Sequence, residues 1–265
     1  MSTVFERFLL RKVICVAAMI GLILGTVAGL PHSVKAASRN GLWIIVSNIC
    51  LPAYQSVGMA FPCAEVNIPK GPEHGFAVVQ TPSIATHIVV VPTTRISGIE
   101  SPDLLRDTTP NYWEAAWNAR RFVEYGAHRQ LPREKIGMAI NSSVSRSQDQ
   151  LHIHVSCISP EVTEFLYRQR AGIRGTWSLL HSKLLGHRFV AMKIEADNLA
   201  QADPFKLLAR GLPSGKFSMA SQTLAVVGAK FDNGKTGFYL LANDSGASPS
   251  DIVSAEALLD ENCTD

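Results

Sequence analysis

The chain is poor in charge. Lysine, arginine, aspartate and glutamate make up 18% of its 265 residues, and the formal net charge is +3. Residues 1–36 hold four of the 25 basic and one of the 22 acidic side chains, so residues 37–265 hold 21 of each and are neutral overall. A neutral body lacks the basic surface with which proteins neutralise the phosphates of DNA or RNA. We therefore expect no nucleic-acid partner.

Long apolar runs are also scarce. The one run of near-membrane length, 13–30, has 18 residues and no charge, and it follows Arg7, Arg11 and Lys12. Positive residues before such a run favour a cytoplasmic start followed by a crossing of the membrane. The run is longer than the core of a usual signal peptide and nearly long enough to span a bilayer. However, the small residues around 34–36 form an acceptable signal-cleavage site.

Two interpretations of this N-terminal segment therefore stand, a removed signal peptide and a retained anchor. Both place the body outside the cytoplasm. We predict an anchor or signal segment over residues 1–36 and a single domain over 37–265. With the anchor retained, the protein is a single-pass protein of the bacterial inner membrane whose body lies on the periplasmic side.

Cysteine is scarce as well, with five in the chain. Cys15 lies in the apolar run, and the body holds Cys50, Cys63, Cys157 and Cys263. Four cysteines in an oxidising compartment indicate two disulfides. Three pairings are possible, and the sequence does not choose among them. Cys157 could instead be a small buried apolar residue.

Short strand and helix patterns are interspersed along the body, without internal repeats or strict βαβ order. Helices are predicted after Thr109-Pro110 and Ser159-Pro160, because a capping residue followed by proline is typical of a helix start. Another helix is predicted over 252–259. Strands are predicted at 76–80 and 87–91 (as a hairpin), 136–140, 150–156, 189–194, 224–227 and 238–242. These elements predict an α+β fold, an antiparallel sheet with flanking helices.

The stretch 150–156 is the most informative part of the chain. Polar residues occupy positions 150, 152, 154 and 156, and apolar residues occupy 151, 153 and 155. This alternation predicts a half-buried strand. His152 and His154 then project from one face, two residues apart. Paired imidazoles of this kind handle a phosphate or bind a metal.

The segment 141–154, Asn-Ser-Ser-Val-Ser-Arg-Ser-Gln-Asp-Gln-Leu-His-Ile-His, resembles the active-site segment of the histidine-triad superfamily. There, a polar phosphate-binding loop precedes a strand with three alternate histidines. The resemblance is closer to one branch, the CDP-diacylglycerol pyrophosphatases, and it extends to 50–52 with 62–66, to 92–102 and to 154–158. One departure is that the first triad position is Gln150 rather than histidine. The fold expected from this resemblance is histidine-triad-like.

The resemblance implies hydrolysis of CDP-diacylglycerol to CMP and phosphatidate. His152 would attack the α-phosphorus and form a nucleotidyl-histidine that water then hydrolyses, and His154 would contact the phosphate and the leaving oxygen. The expected substrate-binding residues are Asn141, Arg146, Ser147, Gln148 and Gln150. No metal or other cofactor is expected. A two-chain lipid substrate implies a membrane partner, and the superfamily often forms homodimers.

Three alternatives remain from the residues alone. A zinc-dependent hydrolase could use His152 and His154 with His181 or His187 as a third ligand, although no Glu-x-x-His element is present. A two-histidine phosphoesterase would need a second His-x-Ser half beside His154 and Ser156, and no convincing one is found. A non-catalytic module could bind a nucleotide or a lipid and use its histidines only to hold phosphate.

Overall fold

An antiparallel sheet forms the centre of the protein. This computed structural model describes residues 39–211, 218–246, 250 and 252–264. Within them the strands are β1 Glu65–Asn67, β2 Phe76–Gln80, β3 Ile88–Pro92, β4 Ile136–Ile140, β5 Ile153–Ile158, β6 Ser178–Leu179, β7 Val190–Glu195, β8 Gln222–Lys230, β9 Thr236–Asp244 and β10 Leu259–Asp260. Their order is β1-β2-β3-β5-β4-β8-β9-β7-β6, and β10 pairs with the end of β5. The predicted α+β fold with an antiparallel sheet is confirmed, whereas its histidine-triad-like character stays a prediction.

Helices flank this sheet. They are α1 Gly41–Ile44, α2 Leu51–Val57, α3 Tyr112–Gly126, α4 Pro160–Gln169 and α5 Pro204–Gly211, and the π-helical turn Ile45–Cys50 joins α1 to α2. The start of α4 follows the predicted signal, since the Ser159 side chain accepts a hydrogen bond from the Val162 amide and Pro160 opens the helix. The start of α3 is two residues later than predicted, because Asn111 rather than Thr109 caps it.

The two faces of β5 have different surroundings. Its odd-numbered residues, Ile153 to Cys157, join the largest core cluster, which also includes one face of α3. Its even-numbered residues lie on the other face, where His154 is directly opposite Val89 of β3 and Ala139 of β4. Since β5 has neighbours on both sides, it is a central strand. This position fixes the register, and with it the face on which the histidines lie.

Two disulfides tie the body together, as the cysteine count predicts. Cys50 pairs with Cys63, and Cys157 pairs with Cys263. The first fastens the end of the π-helical turn to the loop before β1. The second fastens the C-terminal segment to β5, the strand that carries His154. The pairing, which the sequence leaves open, thus places 252–264 beside the histidines.

Two local predictions are wrong. The strand around the histidines is not half-buried, because all six residues of β5 are buried. Its alternation reflects polar groups that face a protein-lined site rather than solvent. The predicted helix over 252–259 is a single 3-10 turn, Ala255–Leu258, followed by β10. The Cys157–Cys263 disulfide and the pairing of β10 with β5 hold this segment in an extended path instead.

The predicted location requires a correction too. A bilayer-spanning helix needs about 20 apolar residues, and no helix in the described part of the chain is long and apolar enough to cross a membrane. A single-pass inner-membrane protein with a periplasmic body is therefore not supported. The run on which that prediction depended, 13–30, lies outside the described residues.

Candidate active site

His152 lies immediately before β5, and the residue is only 5% exposed. Its Nδ1 is 2.7 Å from the backbone oxygen of Gln150. A carbonyl oxygen can only accept, so Nδ1 must carry the hydrogen of this bond. In the neutral ring the lone pair therefore belongs to Nε2. The backbone of the strand itself fixes the tautomer that a nucleophilic imidazole needs.

The Nε2 atom of His152 is the ring nitrogen that is left for chemistry. No hydrogen bond among the described residues involves this nitrogen, and it is not fully enclosed by the protein. Burial lowers the pKa of His152, and the nearby charge of Arg146 acts in the same direction. The Gln150 carbonyl and Glu256 oppose this shift without reversing it. Nε2 thus keeps its lone pair at neutral pH.

Gln150, the departure from the triad pattern, is completely buried and anchors a neighbouring loop. Its Nε2 donates to the backbone oxygens of Pro92 at 3.2 Å and Thr94 at 2.8 Å, and its Oε1 accepts from the Ile96 amide at 3.3 Å. The side-chain amide is therefore occupied by the protein. The part of Gln150 that faces the site is its backbone carbonyl, which holds His152.

His154 has both ring nitrogens directed at protein groups. Its Nδ1 is 2.9 Å from Nε2 of His87, and the two rings stack with centroids 5.2 Å apart. Its Nε2 is 3.2 Å from Oε1 of Glu256. The ring of His152 meets the ring of His154 edge-on, with centroids 4.9 Å apart. Three imidazoles thus form one contiguous cluster, of which sequence analysis identifies only two as site residues.

Two carboxylates from the C-terminal segment close this cluster. Glu256 faces His154, as described above, and Glu261 places Oε1 at 2.8 Å from Nδ1 of His87. Both contacts are within ion-pair distance. Within the part of the chain that the structure describes, His87 Nδ1 and His154 Nε2 are enclosed and have no hydrogen-bond partner. Burial lowers the pKa of both rings, and the carboxylates act in the opposite direction.

Asn141 links the polar loop to the C-terminal segment. Its Nδ2 donates to Oε2 of Glu256 at 2.8 Å, and its Oδ1 accepts from the Ala255 amide at 2.7 Å. Burial raises the pKa of Glu256, but the contacts with His154, Ser254 and Asn141 outweigh it and lower that pKa overall. Glu256 is therefore an anion, and it occupies the donor of Asn141 that the sequence assigns to substrate.

The other three predicted loop residues point in different directions. Arg146 is ion-paired with Glu100 at 2.6 Å and with Asp149 at 3.2 Å. The Gln148 side chain accepts from the Leu42 amide at 2.9 Å and so ties the loop to α1. Ser147 is exposed. The structure thus brings Asn141 to the histidine cluster and keeps Arg146 within electrostatic reach of His152, whereas Gln148 supports a helix.

A model of the CDP-diacylglycerol pyrophosphatase family matches residues 37–265, a range that contains every residue of this site. The chain belongs to that family. A CDP-diacylglycerol pyrophosphatase from Yersinia pestis is 38% identical to it over 264 residues, which covers 99% of this chain and 95% of that relative. The resemblance drawn from the histidine segment to the CDP-diacylglycerol pyrophosphatases is thus confirmed over nearly the whole chain.

In this member of the CDP-diacylglycerol pyrophosphatase family, sequence analysis missed His87, Glu256 and Glu261. His87 is separated from His154 by 67 positions and reaches it only through the pairing of β3 with β5. The sequence signal that could have identified it is its place at the first position of the predicted strand 87–91. That strand belongs to the same predicted antiparallel sheet as the strand 150–156. Glu256 was obscured by the incorrect helix over 252–259, and Glu261 lies just beyond that range in a segment for which no local pattern was assigned.

The structure offers no ligand set for the zinc alternative. Among the described residues, no group of three or more histidine, cysteine or acidic side chains is arranged to hold a metal ion. The third ligands considered, His181 and His187, form no such group with His152 and His154. The groups that this pyrophosphatase-family site presents are imidazoles and carboxylates.

Proposed function

We propose that this protein hydrolyses CDP-diacylglycerol to CMP and phosphatidate through a nucleotidyl-histidine on His152. Membership of the CDP-diacylglycerol pyrophosphatase family supports the substrate and the bond that is cleaved. The observation that carries the mechanism is the bond from Nδ1 to the Gln150 carbonyl, because it leaves the Nε2 lone pair of a neutral imidazole free.

Two displacements at the α-phosphorus complete the reaction. First, the Nε2 lone pair forms a P–N bond while the bond to the bridging oxygen breaks, and phosphatidate leaves with that electron pair. The positive charge that develops on the ring is stabilised by the hydrogen bond from Nδ1 to the Gln150 carbonyl. Second, a water oxygen bonds to phosphorus, the P–N electrons return to Nε2, and the water releases a proton as CMP forms. Covalent catalysis thus splits one difficult step into two easier ones.

The non-bridging oxygens need positive or hydrogen-bonding groups nearby. Arg146 supplies charge although its guanidinium is paired with two carboxylates, and Ser147 offers an exposed hydroxyl. The ring of His154 lies beside that of His152, but its Nε2 faces Glu256 at 3.2 Å rather than the space beside His152 Nε2. We infer that His154 acts on the reacting phosphate electrostatically, by carrying a proton, rather than through a direct hydrogen bond to it.

The test is a pair of substrates labelled with radioactive phosphorus, one at the α-phosphate and one at the phosphatidate phosphate. We expect wild-type protein to release CMP and, after acid-free quenching, to retain α-label in an acid-labile form and no phosphatidate label. His152→Ala should slow CMP release by roughly 10⁴-fold or more, the scale on which loss of a nucleophile acts, and should retain no label. The matched control is His181→Ala, at an exposed position.

Two results would contradict this proposal. Binding of CDP-diacylglycerol without CMP release by the wild type would favour the non-catalytic module. Release of CMP by His152→Ala at a rate near that of His181→Ala would show that another group, or water directly, attacks the phosphorus.

A further inference from the structure

Four side chains form a continuous line beside His152. They are Glu261, His87, His154 and Glu256. The line has three close contacts, of 2.8 Å from Glu261 to His87, 2.9 Å between the rings, and 3.2 Å from His154 to Glu256. The two inner nitrogens share one hydrogen between the rings. The two outer nitrogens are enclosed, each faces a carboxylate, and neither has a hydrogen-bond partner among the residues that the structure describes.

The number of hydrogens on this line decides its charge. Two neutral rings carry two hydrogens, and one of these lies between the rings. Only one outer nitrogen can then carry a hydrogen, so the other directs a lone pair at a carboxylate oxygen. A third hydrogen would remove this repulsion and place one positive charge between two negative ones. The arrangement of the two rings between two carboxylates therefore favours a ring pair that carries one extra proton.

Burial acts against that proton when the site is empty. It is the largest influence on the pKa of each ring and lowers both, while Glu256 and Glu261 raise them. A protonated His152 would lower the pKa of His154 further. The charge of Arg146 in turn lowers the pKa of His152. A pyrophosphate lodged at His152 adds negative charge beside the pair and favours its protonated form.

We propose that the His87–His154 pair takes up one proton when the pyrophosphate of the substrate binds, and that Glu256 and Glu261 are positioning residues that hold this proton on the pair. The inference rests on the proposed function, since it requires the pyrophosphate to bind at His152. The protonated pair stabilises the charge of the departing phosphatidate phosphate. It returns the proton to solvent when the products leave, so no proton is consumed over the cycle.

The C-terminal segment is built to hold these two carboxylates in place. Asn141 binds both the Glu256 carboxylate and the Ala255 amide. The Thr86 hydroxyl donates to the backbone oxygen of Glu261, and the Ser156 hydroxyl donates to that of Asp260 at 3.1 Å. The Cys157–Cys263 disulfide closes the segment onto β5. The segment is thus held firmly against the histidine pair.

Titration calorimetry tests the proposal. The probe is a short-chain CDP-diacylglycerol analogue with a methylene group in place of the bridging oxygen, which cannot be hydrolysed. Each of its two phosphonate groups carries one ester and one strongly acidic oxygen that stays ionised near neutral pH, so any proton taken up binds to the protein. The full chain is titrated at pH 7 in two buffers with different heats of ionisation, and the difference between the binding heats gives the number of protons exchanged.

We expect net proton uptake by the wild type, clearly reduced uptake by Glu256→Gln and by Glu261→Gln, and partial recovery with Glu256→Asp and Glu261→Asp. The control is Glu164→Gln, an exposed carboxylate on α4, which should match the wild type. Circular dichroism verifies that each variant is folded. The alkaline limb of the kcat profile should also move to lower pH in the glutamine variants, because loss of a carboxylate lowers the pKa of the pair.

The outcomes separate this inference from the proposed function. A wild type that releases CMP and binds the analogue without proton uptake, or glutamine variants with unchanged uptake and an unchanged alkaline limb, would overturn the inference alone. A wild type that neither binds the analogue nor releases CMP would overturn both.

Discussion

The disulfide between Cys157 and Cys263 should matter for stability and for catalysis, whereas that between Cys50 and Cys63 should matter mainly for stability. The two bonds span sequence separations of 106 and 13 residues. In the chain-entropy description, closing a loop of the first size stabilises the fold by about 4.7 kcal/mol and closing one of the second size by about 3 kcal/mol. Loss of the long loop should therefore cost about 2 kcal/mol more.

The perturbation is a pair of double variants, Cys157→Ala with Cys263→Ala and Cys50→Ala with Cys63→Ala. Urea unfolding followed by circular dichroism gives the free energy of unfolding of each. CMP release is measured at a temperature at which both variants are folded. We expect kcat to fall in the first variant, because the segment that carries Glu256 and Glu261 loses its disulfide bond to β5. In the second variant kcat should stay near that of the wild type.

The result that refutes this reasoning is equal kcat in the two folded variants. The C-terminal segment would then hold its carboxylates without the disulfide, and the covalent bond would serve stability alone. A smaller loss of unfolding free energy for the 106-residue separation than for the 13-residue separation would contradict the entropic argument.

Three further predictions follow from the site. Gln150→Leu should lower the free energy of unfolding by about 2–4 kcal/mol, because it removes three hydrogen bonds to buried or half-buried backbone groups of 92–96. Urea unfolding measures this, and Gln148→Leu, which removes one half-buried bond, should cost less. The acid limb of kcat/KM should lie below pH 6.5, because burial lowers the pKa of His152 and its Nε2 keeps its lone pair until the pH falls to that lowered value; a limb above 6.5 would contradict this. Exhaustive chelation should leave CMP release unchanged, and lost activity that zinc restores would revive the metal hypothesis.

The same burial has a consequence for stability. The pKa values of His87, His152 and His154 are all lowered in the folded protein, so below about pH 6.5 the unfolded chain binds protons that the folded chain does not. The free energy of unfolding therefore keeps its full value above that pH and decreases as the pH falls toward the pKa values of the folded protein. Unfolding free energies measured from pH 7.5 to 5 should therefore decrease, and less steeply in His87→Gln.

The sequence was sufficient where structure depends on local pattern. Alternation located β5, short apolar runs located β2, β3 and parts of β8 and β9, and the serine and proline before α4 marked its start. The two-residue spacing of the histidines put both rings on one face. The acceptor for Nδ1 of His152 is also local, because Gln150 is two residues away along the chain.

The rest of the site depends on contacts that no local pattern encodes. His87 meets His154 through strand pairing, and Glu256 and Glu261 arrive through a disulfide whose pairing the sequence left open. The segment 252–259 contains helix-favouring alanine and leucine, but its tertiary contacts override that preference. The alternation of β5 was misread because a polar face lined by other protein groups has the same pattern as a polar face in water.

The linkage of the intermediate is the most direct test of the central claim. After rapid quenching of wild-type protein with CDP-diacylglycerol, mass spectrometry should find a cytidylyl adduct on the peptide that contains His152. Nuclear magnetic resonance of that peptide should place the P–N bond at Nε2, since Nδ1 is committed to the Gln150 carbonyl. An adduct on another residue, a bond at Nδ1, or no adduct at any quench time shorter than one turnover would contradict the account.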